Sequence, residues 1–198
     1  MFYFLLKPWI LGISLFSGLF AGFSAIFFRD PERSINAVPG DILSPADGRV
    51  ISVSDENDEY AGPGARRISI FMSPFNVHVN RAPASGQVEK IEYHPGRFLG
   101  AFRDKASLYN EQVHIGMDMQ GRKIRIKLIA GFLARRIVWG IKEKDTLAIG
   151  QRIAFIRFGS RADLILPAEA LILVRTGDRV KAGMTLIARL AGPEITGE

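Results

Sequence analysis

The chain has 198 residues, of which 47% are hydrophobic and 23% are charged, a composition typical of a folded protein with a core. It contains no cysteine, which excludes disulfides, thiolate metal sites and a cysteine nucleophile. Its formal net charge of +6 favours an anionic partner, such as a nucleic acid, an anionic ligand or a membrane surface.

The first element in chain order is the uncharged run WILGISLFSGLFAGFSAIFF, from Trp9 to Phe28. A helix of this length rises about 30 Å, the thickness of the hydrocarbon core of a bilayer. The run predicts a membrane segment, either a spanning helix or a re-entrant hairpin that bends at one of three glycines, Gly12, Gly18 or Gly22.

The charged segment RDPER follows this run directly, at residues 29–33. Basic groups beside a membrane segment are expected to contact anionic headgroups. No helix-turn-helix, zinc-finger or RNA-binding aromatic motif accompanies them, so we expect no nucleic acid as partner. Residues 1–33 are therefore interpreted as a membrane-anchoring segment, and residues 34–198 as a separate folded domain.

Short strand-like runs separated by turn residues fill the rest of the chain. DILSPADGRVISVSD predicts two strands around a turn at Pro45–Gly48, and EQVHIGMDMQGRKIRIKLIAG predicts a hairpin near Gln120–Gly121. ARRISIFMSPFNVHV and QVEKIEYH add further strands, and EALILVRTGDRVKAGMTLIARL adds two short ones. The fold class is predicted to be mainly β, a compact hybrid-sandwich or barrel-like domain with few short helices, preceded by the N-terminal hydrophobic helix.

The run GQRIAFIRFGSRADLILP has strand-like residues on both sides of Gly159-Ser160. Taken alone, it is typical of a strand pair joined by a β-turn, with Arg161 and Asp163 as the polar rim. GDILSPADGRVISV and GDRVKAGMTLIARL also resemble the strand-turn-strand units of lipoyl and biotinyl carrier domains. Such carriers present a modifiable lysine in a tight hairpin, and the position of Lys181 in the Gly-Asp half disfavours this alternative.

Three stretches together change the interpretation of Gly159-Ser160: SPADG at 44–48, FMSPFNVHVNRAP at 71–83 and RFGSR at 157–161. In this combination and order the chain resembles the phosphatidylserine decarboxylases, and most closely their short, single-domain type. The segments YHPGRF, LYNEQ and GQRIAF also fall where that family has related sequences.

The resemblance implies that the precursor cleaves itself between Gly159 and Ser160 into a β chain of residues 1–159 and an α chain of residues 160–198, which remain together as a heterodimer. Ser160 would become a pyruvoyl group, the only cofactor, with no metal. That group would form a Schiff base with the amine of phosphatidylserine, so that loss of CO2 yields phosphatidylethanolamine. The phospholipid substrate and the membrane are the expected partners.

The resemblance also implies roles for other side chains. Asp47 would orient a catalytic base for Ser160, although an aspartate in such a turn often bonds only to its own backbone. His78 ionises near neutral pH and is the best candidate base. Long family members carry a second histidine where this chain has Arg81, so we expect His78 to serve both self-cleavage and decarboxylation. Arg81 and Asn76 are expected to bind substrate.

Other functions remain open at this point. The same chemistry could act on another serine phospholipid, such as archaetidylserine. Ser160, His78 and Asp47 could instead form a membrane-tethered serine hydrolase, although the chain lacks a G-x-S-x-G elbow. A non-catalytic membrane-tethered β domain is a third alternative. In the decarboxylase interpretation the protein lies at the cell membrane, with its catalytic domain on the cytoplasmic face.

Overall fold

The computed structural model describes residues 2–96, 110–131, 136–156 and 159–190, with side chains from residue 8 onward. Arg157 and Phe158 of the RFGSR stretch lie outside the described residues, as do parts of YHPGRF and LYNEQ.

A single N-terminal helix, α1 (Phe2–Phe27), precedes the strands. Its part from Pro8 to Phe27 has a mean hydropathy of 2.0 and is long and apolar enough to cross a membrane. The helix continues through all three glycines without a break, so the re-entrant hairpin is not observed. From Pro8 onward, its large apolar side chains are exposed except for Phe27, which is 1% exposed and packs against the β domain.

Fourteen strands form the described part of the β domain, in three antiparallel sheets. The largest sheet has eight strands in the order β13-β2-β3-β11-β7-β6-β5-β9 and curls into a half-barrel. The two small sheets have the orders β1-β14-β12 and β4-β10-β8. The strand bounds are β1 Asp41–Leu43, β2 Gly48–Asp58, β3 Gly62–Met72, β4 Val79–Arg81, β5 Gly86–His94, β6 Gln112–Met119, β7 Arg122–Ile129, β8 Ile137–Trp139, β9 Thr146–Leu147, β10 Arg152–Ile156, β11 Ser160–Leu166, β12 Leu171–Ile172, β13 Arg179–Val180 and β14 Leu186–Arg189.

The mainly β prediction is confirmed, and so are two of its turns. The turn at 45–48 separates β1 from β2. The hairpin of β6 and β7 turns at Gln120 (φ 56°) and Gly121 (φ 88°), the left-handed pair that a two-residue hairpin turn requires. Buried and partly exposed residues alternate along β7, as expected for a strand with one face on the core.

The strand pair predicted around Gly159-Ser160 is wrong in its pairing. β10 pairs with β4 and β8, whereas β11 pairs with β3 and β7, so the chain passes from one sheet to another at Gly159. The segment after residue 170 also forms three short strands where two were predicted, because β12 and β14 join one sheet and β13 joins another.

Strand β11 is buried at every residue and lies between β3 and β7. Arg161 and Asp163 therefore do not form a polar rim. Arg161 is 2% exposed, and its Nε and Nη2 donate to the two carboxylate oxygens of Asp163 at 2.6 and 2.8 Å, while Nη2 also donates to Ser69 Oγ at 2.9 Å. Residues two apart on a strand share a face, so a buried charge has its partner on the same strand.

Candidate active site

Ser160 is the first residue of β11 and is fully buried. Its Oγ has no hydrogen-bond partner among the described residues, and its cross-strand neighbour is Met72 on β3. Gly159 before it has φ +48°, a left-handed conformation that glycine adopts far more readily than other residues. The predicted cleavage bond thus lies at a sharp change of chain direction, beside a buried, unpaired hydroxyl.

His78 is also fully buried, and neither ring nitrogen has a hydrogen-bond partner among the described residues. Its carbonyl accepts from the N–H of Ile156 at 3.2 Å, which places it beside the end of β10, just before the cleavage site. The ring packs against Phe27 of α1, with centroids 4.5 Å apart, and against Phe155 at 6.4 Å. The end of the N-terminal helix therefore forms one wall around the candidate base.

The pKa of His78 is lowered from 6.5 to about 4, chiefly by burial and also by the nearby positive charge of Arg29, while the Asn76 carbonyl and the charge of Asp47 oppose the shift. His78 therefore does not ionise near neutral pH, contrary to the expectation from the sequence alone. At neutral pH the imidazole of His78 is therefore uncharged and able to accept a proton, although its lowered pKa makes it a weaker base than an ordinary histidine.

Asn80, two residues after His78 in the chain, contacts Met72, the cross-strand neighbour of Ser160. Its Nδ2 lies 3.4 Å from the Pro45 carbonyl and 3.7 Å from Met72 Sδ, and its Oδ1 is buried without a partner in the described structure. Burying unpaired polar atoms is costly, and such atoms in a native structure call for an explanation. Among the described residues such atoms also occur in Arg33, Arg66 and Arg67, but those of His78, Asn80 and Ser160 belong to two of the three sequence motifs, which favours a reaction site.

Asp47 lies in the turn between β1 and β2, and the backbone fixes this turn against β4. The N–H of Arg81 donates to the Pro45 carbonyl at 2.9 Å. The carboxylate of Asp47 accepts from the N–H of Ala182 at 2.8 Å, and both of its oxygens accept from Arg33 Nη2 at 3.1 and 3.0 Å. Asp47 therefore acts on His78 through its charge, and its direct partner is Arg33.

The predicted contact of the RDPER segment with headgroups is wrong for Arg33, whose side chain is 8% exposed and paired with Asp47. The rest of this segment also binds the β domain. Arg29 Nη2 donates to the Phe75 carbonyl at 2.7 Å, and Asp30 pairs with Arg81 and Arg152. Both the acidic and the basic residues of this segment therefore have partners in the β domain.

The two residues predicted to bind substrate differ in their surroundings. Arg81 is 5% exposed, and its guanidinium donates to Asp30 and to the carbonyls of Pro31 and Gly150. Asn76 is partly exposed, and its Oδ1 accepts from the N–H and the hydroxyl of Ser73, each at 2.8 Å. Substrate binding stays a prediction for both residues, and the contacts of Arg81 favour a role in positioning the segment after α1.

One cluster could hold a metal ion. Glu92, His94 and His114 place one ligand atom each within 4.8 Å of one another on β5 and β6. Burial is the main cause that lowers the pKa of His114 to about 4, and the charges of Lys127 and Arg125 contribute to the shift. Lys127 lies opposite His114 in the sheet. Those two cations oppose the binding of a further one, and β7 separates the cluster from β11.

Sequence reasoning missed Phe27 and Arg33 as parts of the site. The signal available for Arg33 was the presence of acidic as well as basic residues in RDPER, which differs from a purely basic, headgroup-binding segment. Phe27 carried no such signal, because it is one of many phenylalanines in the apolar run.

The family model described as phosphatidylserine decarboxylase matches residues 20–188 of this chain. Among curated proteins, the chain is similar to a phosphatidylserine decarboxylase proenzyme of Chlorobium chlorochromatii, with 44% identity over 94% of this chain and 86% of the relative. It is also similar to the proenzymes of Cupriavidus pinatubonensis, with 49% identity over 83% and 76%, and of Magnetococcus marinus, with 46% over 88% and 81%.

Proposed function

The chain belongs to the phosphatidylserine decarboxylase family, and from this premise we propose that it converts phosphatidylserine to phosphatidylethanolamine and CO2 with a pyruvoyl group made from its own Ser160. The observation that carries the proposal is the buried, unpaired Ser160 Oγ directly after a left-handed Gly159. A hydroxyl without a partner is free to attack, and Gly159, which adopts this conformation without a steric penalty, has no side chain to hinder its own carbonyl.

Self-cleavage begins when Ser160 Oγ attacks the carbonyl carbon of Gly159 and gives its proton to a base, since a neutral hydroxyl is a weak nucleophile. The C–N bond breaks, and Gly159 becomes esterified to the Ser160 oxygen. Loss of the Ser160 Cα proton then expels the Gly159 carboxylate and leaves dehydroalanine. Its imine tautomer takes up water and releases ammonia, which gives a ketone at position 160.

The residues around Ser160 fit this chemistry. His78 is neutral because its pKa is low, so it can take the hydroxyl proton, and the charge of Asp47 stabilises the resulting imidazolium. Phe27 and Phe155 cover the imidazole. They would keep water away from His78 while it holds the proton of the Ser160 hydroxyl.

The ketone would supply the electron sink for decarboxylation once it has joined the amine of the substrate. In this stage His78 would return a proton to the carbon from which CO2 has left.

The strand pairing supports a stable complex of the two cleaved chains. Strand β11 begins at Ser160 and would become the first strand of the α chain, while both of its neighbours, β3 and β7, belong to the β chain. Helix α1 would hold the complex at the cell membrane, with the catalytic domain on the cytoplasmic face.

Intact mass spectrometry of the purified protein tests the cleavage. The wild type should give two chains divided at Gly159–Ser160, with a pyruvoyl group at the start of the shorter one. Ser160→Ala should remain one inactive chain of 21.9 kDa, because alanine has no hydroxyl. Ser52→Ala, on β2, is the control and should cleave normally. An active, uncleaved wild type would refute the proposal and favour the serine hydrolase.

Assays with phosphatidylserine and with archaetidylserine, read out as CO2 release and as the lipid product, test the substrate. If the wild type releases CO2 only from the ether lipid, the proposed reaction stands but the substrate is archaetidylserine.

A further inference from the structure

We propose that Arg49 and Arg179 bind the phosphodiester of the phospholipid headgroup, an inference that rests on the proposed function and assigns a second pair of residues to its substrate. The two arginines face each other in the antiparallel pair of β2 and β13, where Arg49 is aligned with Arg179 and Gly48 with Val180.

Like charges directly opposite each other destabilise a sheet. Both arginines are exposed, and across the part of the chain that the structure describes neither guanidinium has a hydrogen-bond or ion-pair partner. Other cations nearby are paired: Arg33 with Asp47, Arg81 with Asp30 and Arg161 with Asp163. An anion bound between Arg49 and Arg179 would relieve their repulsion, and planar guanidinium groups suit the oxygens of a phosphate.

The two arginines line a cavity of about 380 Å³ together with four residues of the sequence motifs, Gly48, Phe71, Ser73 and Asn76. Gly48 follows Asp47, and Asn76 precedes His78 by two residues. Phe71 is aligned with Arg49 on one side and with Arg161, the neighbour of Ser160, on the other. The cavity therefore lies two strands from Ser160, at the end of the sheet where β11 begins. Because successive residues of a strand point to opposite faces, Ser160 and Met72 lie on the other face from Phe71 and Arg161, so a ligand held between the arginines would reach position 160 around this end of the sheet.

The surroundings favour a lipid headgroup over a free phosphate. The turn at 73–76 carries Phe75, which is 76% exposed, and the Phe75 carbonyl accepts from Arg29, two residues after the end of α1. If α1 crosses the membrane, this turn lies where the helix leaves it, and an exposed aromatic ring is favourable at that depth. The cavity would then open at the level of the headgroups.

The test compares Arg49→Gln, Arg179→Gln and the double variant with the wild type. Arg175→Gln is the matched control, because this arginine lies near Arg179 in sequence, is 91% exposed and does not line the cavity. Self-cleavage, read from the two chains on a gel, reports that each variant folds. We expect each single variant to raise KM for dihexanoyl phosphatidylserine about tenfold, the loss of about 1.4 kcal/mol of binding, with little change in kcat. The control should match the wild type.

Calorimetry of the cleaved protein in detergent makes the test independent of turnover. The probe is glycerophosphoethanolamine, a soluble phosphodiester that has no carboxylate to lose. The wild type and the control should bind it, and the double variant should bind it at least tenfold more weakly. Equal binding by the double variant and the wild type would overturn the inference, whether or not the protein decarboxylates phosphatidylserine.

Inorganic phosphate distinguishes the two sources of the anion. If it displaces the probe from the wild type as effectively as a second phosphodiester, glycerophosphocholine, the pair is a general phosphate site and the assignment to a headgroup is wrong. If the wild type cleaves and decarboxylates while the double variant keeps the wild-type KM, the inference fails and the proposed function stands.

Discussion

The burial of His78 makes the pH dependence of self-cleavage a sharp test of its role as base. At pH 5.5, a histidine with the pKa of about 4 given by this burial is about 97% neutral, whereas an ordinary histidine is about 9% neutral. Because only the neutral form accepts a proton, the cleavage rate at pH 5.5 should nearly equal that at pH 7.5. An exposed histidine would instead give about a tenfold decrease.

The assay starts from precursor made in a brief cell-free synthesis and diluted into buffers from pH 4.5 to pH 8. The rate is read from the conversion of the full chain to the 159-residue fragment. His114→Gln is the matched control, because burial also lowers the pKa of His114 to about 4, while β7 separates its strand from β11. Its profile should be the same as that of the wild type.

The same pKa shift makes the stability of the folded precursor depend on pH, which limits how acidic the cleavage assay can be. Because the folded-state pKa of His78 lies below the unfolded value, the unfolded chain binds more protons between pH 6.5 and pH 4. His78 therefore contributes stability above pH 6.5 that is lost as the pH falls to about 4, on the order of 3 kcal/mol in total. At pH 5.5 only about 1.4 kcal/mol of it is lost, so the precursor should still be folded.

Two results would refute the reasoning. A rate that falls tenfold with a midpoint near pH 6.5 would show that the base titrates as an exposed histidine. If a His78→Gln variant cleaves at the wild-type rate, His78 is not the base for self-cleavage. Slow residual cleavage is compatible with the mechanism, because general-base catalysis contributes about 10² to 10⁴ in rate.

Three further substitutions test the buried ion pair, the glycine at the cleavage site and the aromatic ring that covers His78. Arg161→Ala leaves the Asp163 carboxylate buried and unpaired, and should lower the free energy of unfolding by about 3–5 kcal/mol. Urea denaturation of the uncleaved precursor measures this change, and a loss below 1 kcal/mol would contradict the prediction. Gly159→Ala should slow cleavage because of its φ of +48°, whereas Gly140→Ala, which has open space and no positive φ, should not; equal rates would exclude a need for glycine. Phe27→Ala opens the catalytic histidine to water, so the pH of half-maximal cleavage should rise; an unchanged profile would show that the ring is not needed to exclude water.

The local structure could be predicted from the sequence to a large extent, and the long-range pairing could not. Alternation and turn residues indicated the hairpin at Gln120-Gly121 because both signals are local. A strand's periodicity defines its two faces but not its neighbours, so the division of β10 and β11 between two sheets was not predictable. Arg161 looked like a surface residue because charge usually indicates exposure, and its buried pairing depends on the strands that cover β11.

The same limit explains why the N-terminal segment was interpreted only as an anchor. Three contacts of the last turn of α1 and the residues after it reach the candidate site: Phe27 packs against His78, the candidate base, Arg29 binds the turn that carries Phe75, and Arg33 binds the carboxylate of Asp47. Each contact joins residues at least 14 positions apart in the chain, so no local pattern revealed it. A shift of the helix against the β domain would disturb all three contacts together, because they lie on one short segment. The apolar helix and the geometry of the site therefore depend on the same few residues, and a truncation that removes residues 1–28 would also remove Phe27, one wall of the candidate site.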